Sequence, residues 1–229
     1  MRAGLPDDEA GDKRSAARAL REAVKSLDRL AEFADVLMPG DAEEPILPPE
    51  LIGVIHDWLR EIRAKKDLAA VGLKPRSTAL LFGPPGCGKT TLAWHIAMRL
   101  GVPLVSVRTE SLVSKYVGDG ERNIAKLFDA LATTKGQCVT FFDEIDSIAM
   151  KRDSVGGSSA GQGMIGMLNV MLRRVESFDG ICIAATNRHD EIDQALWRRF
   201  GIQIKIDMPG AEERFAIIRR YLCPFDLDD

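Results

Sequence analysis

Between residues 78 and 206, short apolar runs alternate with stretches in which apolar positions recur every three or four residues. The runs 78–82 (TALLF), 104–107 (LVSV), 139–142 (VTFF), 181–185 (ICIAA) and 202–206 (IQIKI) are short and bounded by turn residues, so five strands are expected. Helical spacing fills 89–100, 121–131, 162–175 and 193–200. Each of these helices follows a strand. Repeated strand–helix units with right-handed crossovers build an α/β fold, an open doubly wound parallel sheet whose ligands bind beyond the carboxyl ends of the strands. Met164, Met167 and Met171 share helical spacing with Ile165, Leu168 and Leu172, which core packing explains.

Upstream the pattern differs. Ala16, Leu20, Val24, Leu27, Leu30 and Phe33 predict one amphipathic helix over 13–37, stopped by Pro39-Gly40. Three prolines in 41–50 read as a linker, and 51–70 reads as a further helix. The chain then divides into an amino-terminal extension (1–44), a main domain (45–208) and a short helical segment (209–229). With 45% hydrophobic and 28% charged residues among 229, it can bury a full core. A formal net charge of -3 supplies no overall basic field and argues against a nucleic-acid partner. Cys87, Cys138, Cys182 and Cys223 lie far apart, as reduced thiols do, and not as a metal cluster. No leader-like or membrane-spanning apolar stretch is present, so a cytoplasmic location without a membrane partner is expected.

Chemistry enters at the strand ends. Gly83-Pro84-Pro85-Gly86-Cys87-Gly88-Lys89-Thr90 matches the phosphate-binding pattern G-x-x-x-x-G-K-[ST] between a strand and a helix, with Thr91 following. Its glycines let backbone N–H groups turn inward onto phosphates at the positive end of a helix. Lys89 is expected to neutralise the β and γ phosphates of ATP, and the Thr90 hydroxyl to bind Mg²⁺. The strand 139–142 delivers Asp143 and Glu144 together: Asp143 suits the hold on Mg²⁺, Glu144 the polarisation of an attacking water. Asn187, beyond the fourth strand, is placed to hydrogen-bond the γ-phosphate and that water. Alone, an Asp-Glu pair or an Asn at a strand end is an ordinary turn feature; the upstream loop gives them weight.

GPPGCGKT, FFDEIDSIA, AATNR and IDQALWRRF, in that order, resemble the AAA branch of the AAA+ P-loop ATPases, over roughly residues 73–222. The resemblance implies a P-loop fold with sheet order 5-1-4-3-2, Asn187 as the sensor-1 residue, and Arg198 and Arg199 as an arginine-finger pair. Such fingers reach a neighbour's nucleotide, so a homo-oligomer, typically a hexameric ring, is implied. A guanidinium supplied from another chain stabilises charge on the transferring phosphoryl group. Lys115, Tyr116, Val117 and Gly118 resemble the first pore loop of protein-unfolding relatives, in which an aromatic ring grips an extended polypeptide substrate. Lys151-Arg152-Asp153 occupies the place of a second pore loop and reads equally well as a surface connection.

Two departures stand beside these matches. The family's helical lid is represented only by 211–222, so a sensor-2 position is expected to be absent. The family's usual Asp-Ile-Gly-Gly segment has no counterpart, which leaves Ile52, Gly53 and Val54 as candidates near adenine. His56, His95 and His189 are isolated, and no catalytic or metal role is expected of them. The leading expectation is ATP hydrolysis coupled to protein remodelling through a central pore. An ATP-binding switch with little turnover and a DNA-linked loader or helicase are the alternatives.

Overall fold

A computed structural model describes residues 30–113, 118–150 and 159–222. In chain order it contains β1 (Ala34–Leu37), α1 (Pro49–Arg63), α2 (Lys65–Ala70), β2 (Thr78–Phe82), α3 (Lys89–Leu100), β3 (Leu104–Val107), α4 (Thr109–Leu112) and α5 (Asp119–Thr133). These are followed by β4 (Val139–Phe142), α6 (Ser159–Ser177), β5 (Ile181–Thr186), α7 (Gln194–Trp197), β6 (Ile202–Lys205) and α8 (Ala211–Leu222).

Six strands form one sheet in the order β1-β3-β4-β5-β2-β6, with β2 through β6 parallel. The expected count of five is therefore corrected. The extra strand, β1, pairs antiparallel with β3, Ala34 opposite Val107 and Leu37 opposite Leu104. The helix expected over 13–37 is corrected at its end, where 30–33 form a turn and 34–37 a strand; 13–29 lie outside the described residues. Pairing with β3 imposes a two-residue alternation there. Ala34 and Val36 pack into one core, Leu37 packs into the other, and Asp35 stays exposed where Arg108 bonds it.

Each sheet face carries its own core, because successive strand residues point to opposite sides. In β2, Ala79 and Leu81 face Leu92 and Ile96 of α3 and Trp58 of α1, whereas Leu80 faces α5 and α6. In β4, Phe141 joins the first group and Phe142 the second, each fully buried. Burying one such side chain contributes about 1.5–3 kcal/mol. Met167 and Met171 lie in the core as expected, while Met164 is half-buried.

The remaining differences are local. The expected helix over 51–70 is broken at Ala64, where Lys65 turns to bond the Asp179 carbonyl and carboxylate. The helix expected over 193–200 shortens to α7, because Phe200 enters the core and the Gly201 N–H bonds the Thr78 hydroxyl to start β6. Conversely, the helix expected over 162–175 is longer, α6 running from Ser159 to Ser177. Among the described residues, no helix is long and apolar enough to cross a membrane.

Candidate nucleotide site

The loop after β2 is fixed by its neighbours before any side chain contributes. The Gly83 N–H donates to the Thr186 carbonyl of β5 (3.4 Å), and the Ile206 N–H donates to the Phe82 carbonyl (2.8 Å). A Cβ on Gly83 would lie 1.9 Å from the Ile206 carbonyl oxygen, so only glycine fits between β5 and the end of β6. Gly88, at φ 91°, makes the left-handed step from which α3 departs. Lys89 is the first residue of α3 and is 7% exposed; its ammonium donates to the carbonyls of Gly83 (3.0 Å) and Pro84 (2.8 Å) and lies 3.5 Å from Cys87 Sγ. The lysine thus runs back along the loop that begins with Gly83. Pro85 and Gly86 are exposed on the same loop, Cys87 is buried, and Thr91 is exposed on the first turn of α3.

Beside it, the Thr90 hydroxyl donates to Asp143 Oδ2 at 2.9 Å. Thr90 follows β2 and Asp143 follows β4, and β5 lies between these strands. The pair therefore closes a gap of about 10 Å, two strand spacings. Asp143 Oδ1 accepts the Glu144 N–H (3.0 Å), and Glu144 itself stands at φ 48°, ψ 48°, exposed to solvent. A left-handed glutamate costs on the order of 1–3 kcal/mol, a strain concentrated at functional turns. Across from it, Asn187 is half-buried, and its Oδ1 is a buried oxygen with no donor among the described residues.

A hydroxyl and one carboxylate converging on a phosphate-type loop fit Mg²⁺, a hard cation that takes one or two protein oxygens and completes its shell with phosphate oxygens and water. No cluster of three or more acidic, cysteine or histidine side chains suited to a metal occurs among the described residues. The donor set thus suits a metal that arrives with a nucleotide.

A cavity of about 550 Å³ adjoins the loop at Gly86, Gly88 and Thr91. One wall is the segment expected to be a plain linker: Ile46, Leu47 and Pro48, continued by Leu51 and Val54 of α1. Met208 and Pro209 beyond β6, and Ile217 and Tyr221 of α8, form the other. Its volume and apolar lining suit the faces of a purine. Of the three residues expected near adenine, Val54 lines this cavity. Ile52 lines a separate small cavity that shares Glu44, Pro45 and Leu47 with the first, and Gly53 lines neither. The walls are tied across the opening, where Tyr221 donates its hydroxyl to the Glu43 carboxylate and Arg220 donates to the Glu44 carbonyl.

Neither Arg198 nor Arg199 lines that cavity. The Arg199 carbonyl accepts the Thr78 hydroxyl (3.0 Å), at the amino end of β2, about 13 Å along the strand from the loop at its other end. Its guanidinium pairs with Glu176 (3.3 Å), and Arg198 is exposed beside His189 and Trp197 around a shallower hollow. Gly118 caps α5 at φ 89°; Lys115, Tyr116 and Val117, like Lys151-Arg152-Asp153, lie outside the described residues.

Apart from Val54, the sequence does not point to the apolar cavity walls, nor to the pair Asp146 and Thr186, in which the fully buried Thr186 hydroxyl donates to Asp146 Oδ1 at 2.7 Å. The proline run at 45–49 was a signal for the first wall, since it forbids a helix and leaves an extended apolar segment.

Residues 79–208 match the model of the ATPase family associated with various cellular activities (AAA). An uncharacterised AAA family ATPase of Sinorhizobium fredii is 35% identical over 217 residues, 93% of this chain and 64% of that protein. A proteasome-activating nucleotidase of Methanocella arvoryzae is 35% identical over 202 residues, 82% of this chain and 48% of that protein. A cell division cycle protein 48 homologue of Archaeoglobus fulgidus is 40% identical over 156 residues, 67% of this chain and 21% of that protein. The chain thus spans less than two thirds of the length of each of these relatives.

Proposed function

The chain belongs to the ATPase family associated with various cellular activities, and we propose that it hydrolyses ATP and couples the cycle to remodelling of a polypeptide. The observation that carries the reading is the link from Thr90 to Asp143, which joins the phosphate loop to the acidic strand end across an intervening strand.

Backbone N–H groups of 86–90 and the Lys89 ammonium hold the triphosphate, and the apolar walls of the cavity hold the base. Thr90 and Asp143 hold Mg²⁺, which when bound neutralises charge on the phosphate oxygens. Glu144 takes the proton of the attacking water, and the Asn187 side-chain oxygen accepts that water's other O–H. Neither Arg198 nor Arg199 lines its own chain's cavity, so neither is placed there to meet the phosphoryl charge that develops in the transition state. We assign that task to Arg198 and Arg199 of an adjacent copy in a homo-oligomeric ring, hexameric by family resemblance. For Arg199 this means exchanging Glu176 for the neighbour's phosphate.

Lys115, Tyr116, Val117 and Gly118 then form the grip on substrate. The name of one relative, a proteasome-activating nucleotidase, supports a protein as the object acted on. ATP turnover measured with and without an unfolded protein tests the coupling. Stimulation that Tyr116→Ala abolishes, with basal turnover intact, is the expected result; stimulation by DNA and not by protein would overturn it. Mixing Arg199→Ala with Glu144→Gln chains tests the shared site. Rates that simply sum over the two populations would exclude it.

A further inference from the structure

The turn that presents Glu144 is held at both ends, and only one end is accounted for by the nucleotide chemistry. At the first, Asp143 binds the Thr90 hydroxyl and the Glu144 N–H. At the second, Asp146 accepts the hydroxyl of Thr186, the last residue of β5. Between them the turn Ile145–Ser147 is short, with Ile145 fully buried and the Ser147 N–H on the Glu144 carbonyl (2.9 Å).

The Thr186 hydroxyl is used in both directions. It donates to Asp146 and accepts the N–H of Arg188 (2.9 Å), so it closes a small loop around Asn187. A fully buried hydroxyl with one donor and one acceptor bond has a single rotor position, and both bonds orient it. Farther along, the Asp193 N–H on the Ala149 carbonyl (3.0 Å) and the bridge between Met150 and Ile192 keep the same two segments together. Of these links, the one through Thr186 lies beside the chemistry, two residues from Glu144 on one side and one residue from Asn187 on the other.

We infer that Asp146 and Thr186 are positioning residues that fix Glu144 against Asn187, so that the proton acceptor and the oriented water stay in register. The inference rests on the roles proposed above for Glu144 and Asn187. It gives the second aspartate of FFDEIDSIA, Asp146, a task of its own, apart from metal binding. Misplacing a reacting group by about 1 Å can cost on the order of 10²-fold in rate while ground-state binding persists, which separates this role from a nucleotide contact.

The experiment measures steady-state ATP turnover and calorimetric binding of magnesium ADP for the full chain and its variants. Thr186→Val and Asp146→Ala are expected to lower kcat by about tenfold to 10²-fold, with ADP affinity within about threefold of the parent. Thr186→Ser, which restores the hydroxyl, and Asp146→Asn, which keeps the acceptor oxygen, are expected to recover most of the rate. In a Glu144→Gln background Thr186→Val is expected to cause no further loss, since the group being positioned is gone. Should Thr186→Val fail to fold, Asp146→Ala and Asp146→Asn carry the same comparison from the half-buried partner. Parent-like kcat in both disrupting variants would overturn the inference, as would equal losses of kcat and ADP affinity. A parent protein that binds ADP but turns over no ATP, alone or with unfolded protein, would overturn the proposed hydrolysis and this inference together.

Discussion

The side of the cavity proposed to take the phosphates and the side proposed to take the base are built by different means. On the phosphate side the parts are strand ends and backbone: Gly83 is wedged against Ile206, Lys89 is buried, and Thr90 and Asp143 bond across an intervening strand. On the base side the walls come from 46–54, 208–209 and α8, with Met208 59% and Tyr221 53% exposed, and their ties are surface hydrogen bonds. Chemistry that tolerates little misplacement rests on the sheet. On the proposed reading, the base is held and released by segments that can shift at small cost.

That contrast is sharpest for Gly83→Ala. Its Cβ has no room beside the Ile206 carbonyl, so the phosphate loop must be rebuilt, and nucleotide binding measured by calorimetry is expected to fall more than about 10²-fold. Next comes Glu144→Gln, which is expected to lower kcat by about 10² to 10⁴-fold and leave ATP bound, as trapping of radiolabelled nucleotide would register. On the base side, Ile217→Ala removes part of an apolar wall; a loss of about tenfold or less in affinity, with kcat unchanged, is expected in the same titration. Tyr221→Phe cuts the tie to Glu43 and is expected to speed release of a fluorescent ADP only a few-fold in stopped flow. An effect of Ile217→Ala or Tyr221→Phe as large as that of Gly83→Ala would contradict the assignment of the base side as the adjustable half.

The smallest expected effect concerns His95, on the helix that follows the phosphate loop. Burial holds its imidazole below the ordinary histidine value near 6.5, Glu44 opposes the shift, and Arg99 and His56 add to it. The unfolded chain therefore takes up this proton at a higher pH than the folded one. Its contribution to stability is complete above the unfolded value and declines as pH falls through it towards the folded value. Melting temperatures below neutral pH should fall less steeply for His95→Gln than for the parent.

The two halves also differ in how they are written into the chain. GPPGCGKT and the apolar strand ending in Asp143 and Glu144 are contiguous, so spacing alone reveals the loop, the helix and the paired acids. The base cavity joins residues 46 and 217, and no local pattern connects positions so far apart. Its first wall was read as a linker because three prolines and scattered apolar residues lack a period, although an extended segment laid against α1 and α3 needs none. The sixth strand was missed for a related reason. Leu30 and Phe33 keep helical spacing, and only β3 decides that Ala34–Leu37 is extended. Asp146 and Thr186 carry no signal singly, because their bond depends on β4 lying beside β5.

Calorimetric titration of the Glu144→Gln chain with ATP, in Mg²⁺ and then in a chelator, bears most directly on the claim that the glycine loop and Asp143 converge on one metal–nucleotide complex. One nucleotide bound per chain, weakened when the metal is removed and lost in Lys89→Ala, is the predicted result. A well-folded chain that takes up no ATP under either condition would contradict it.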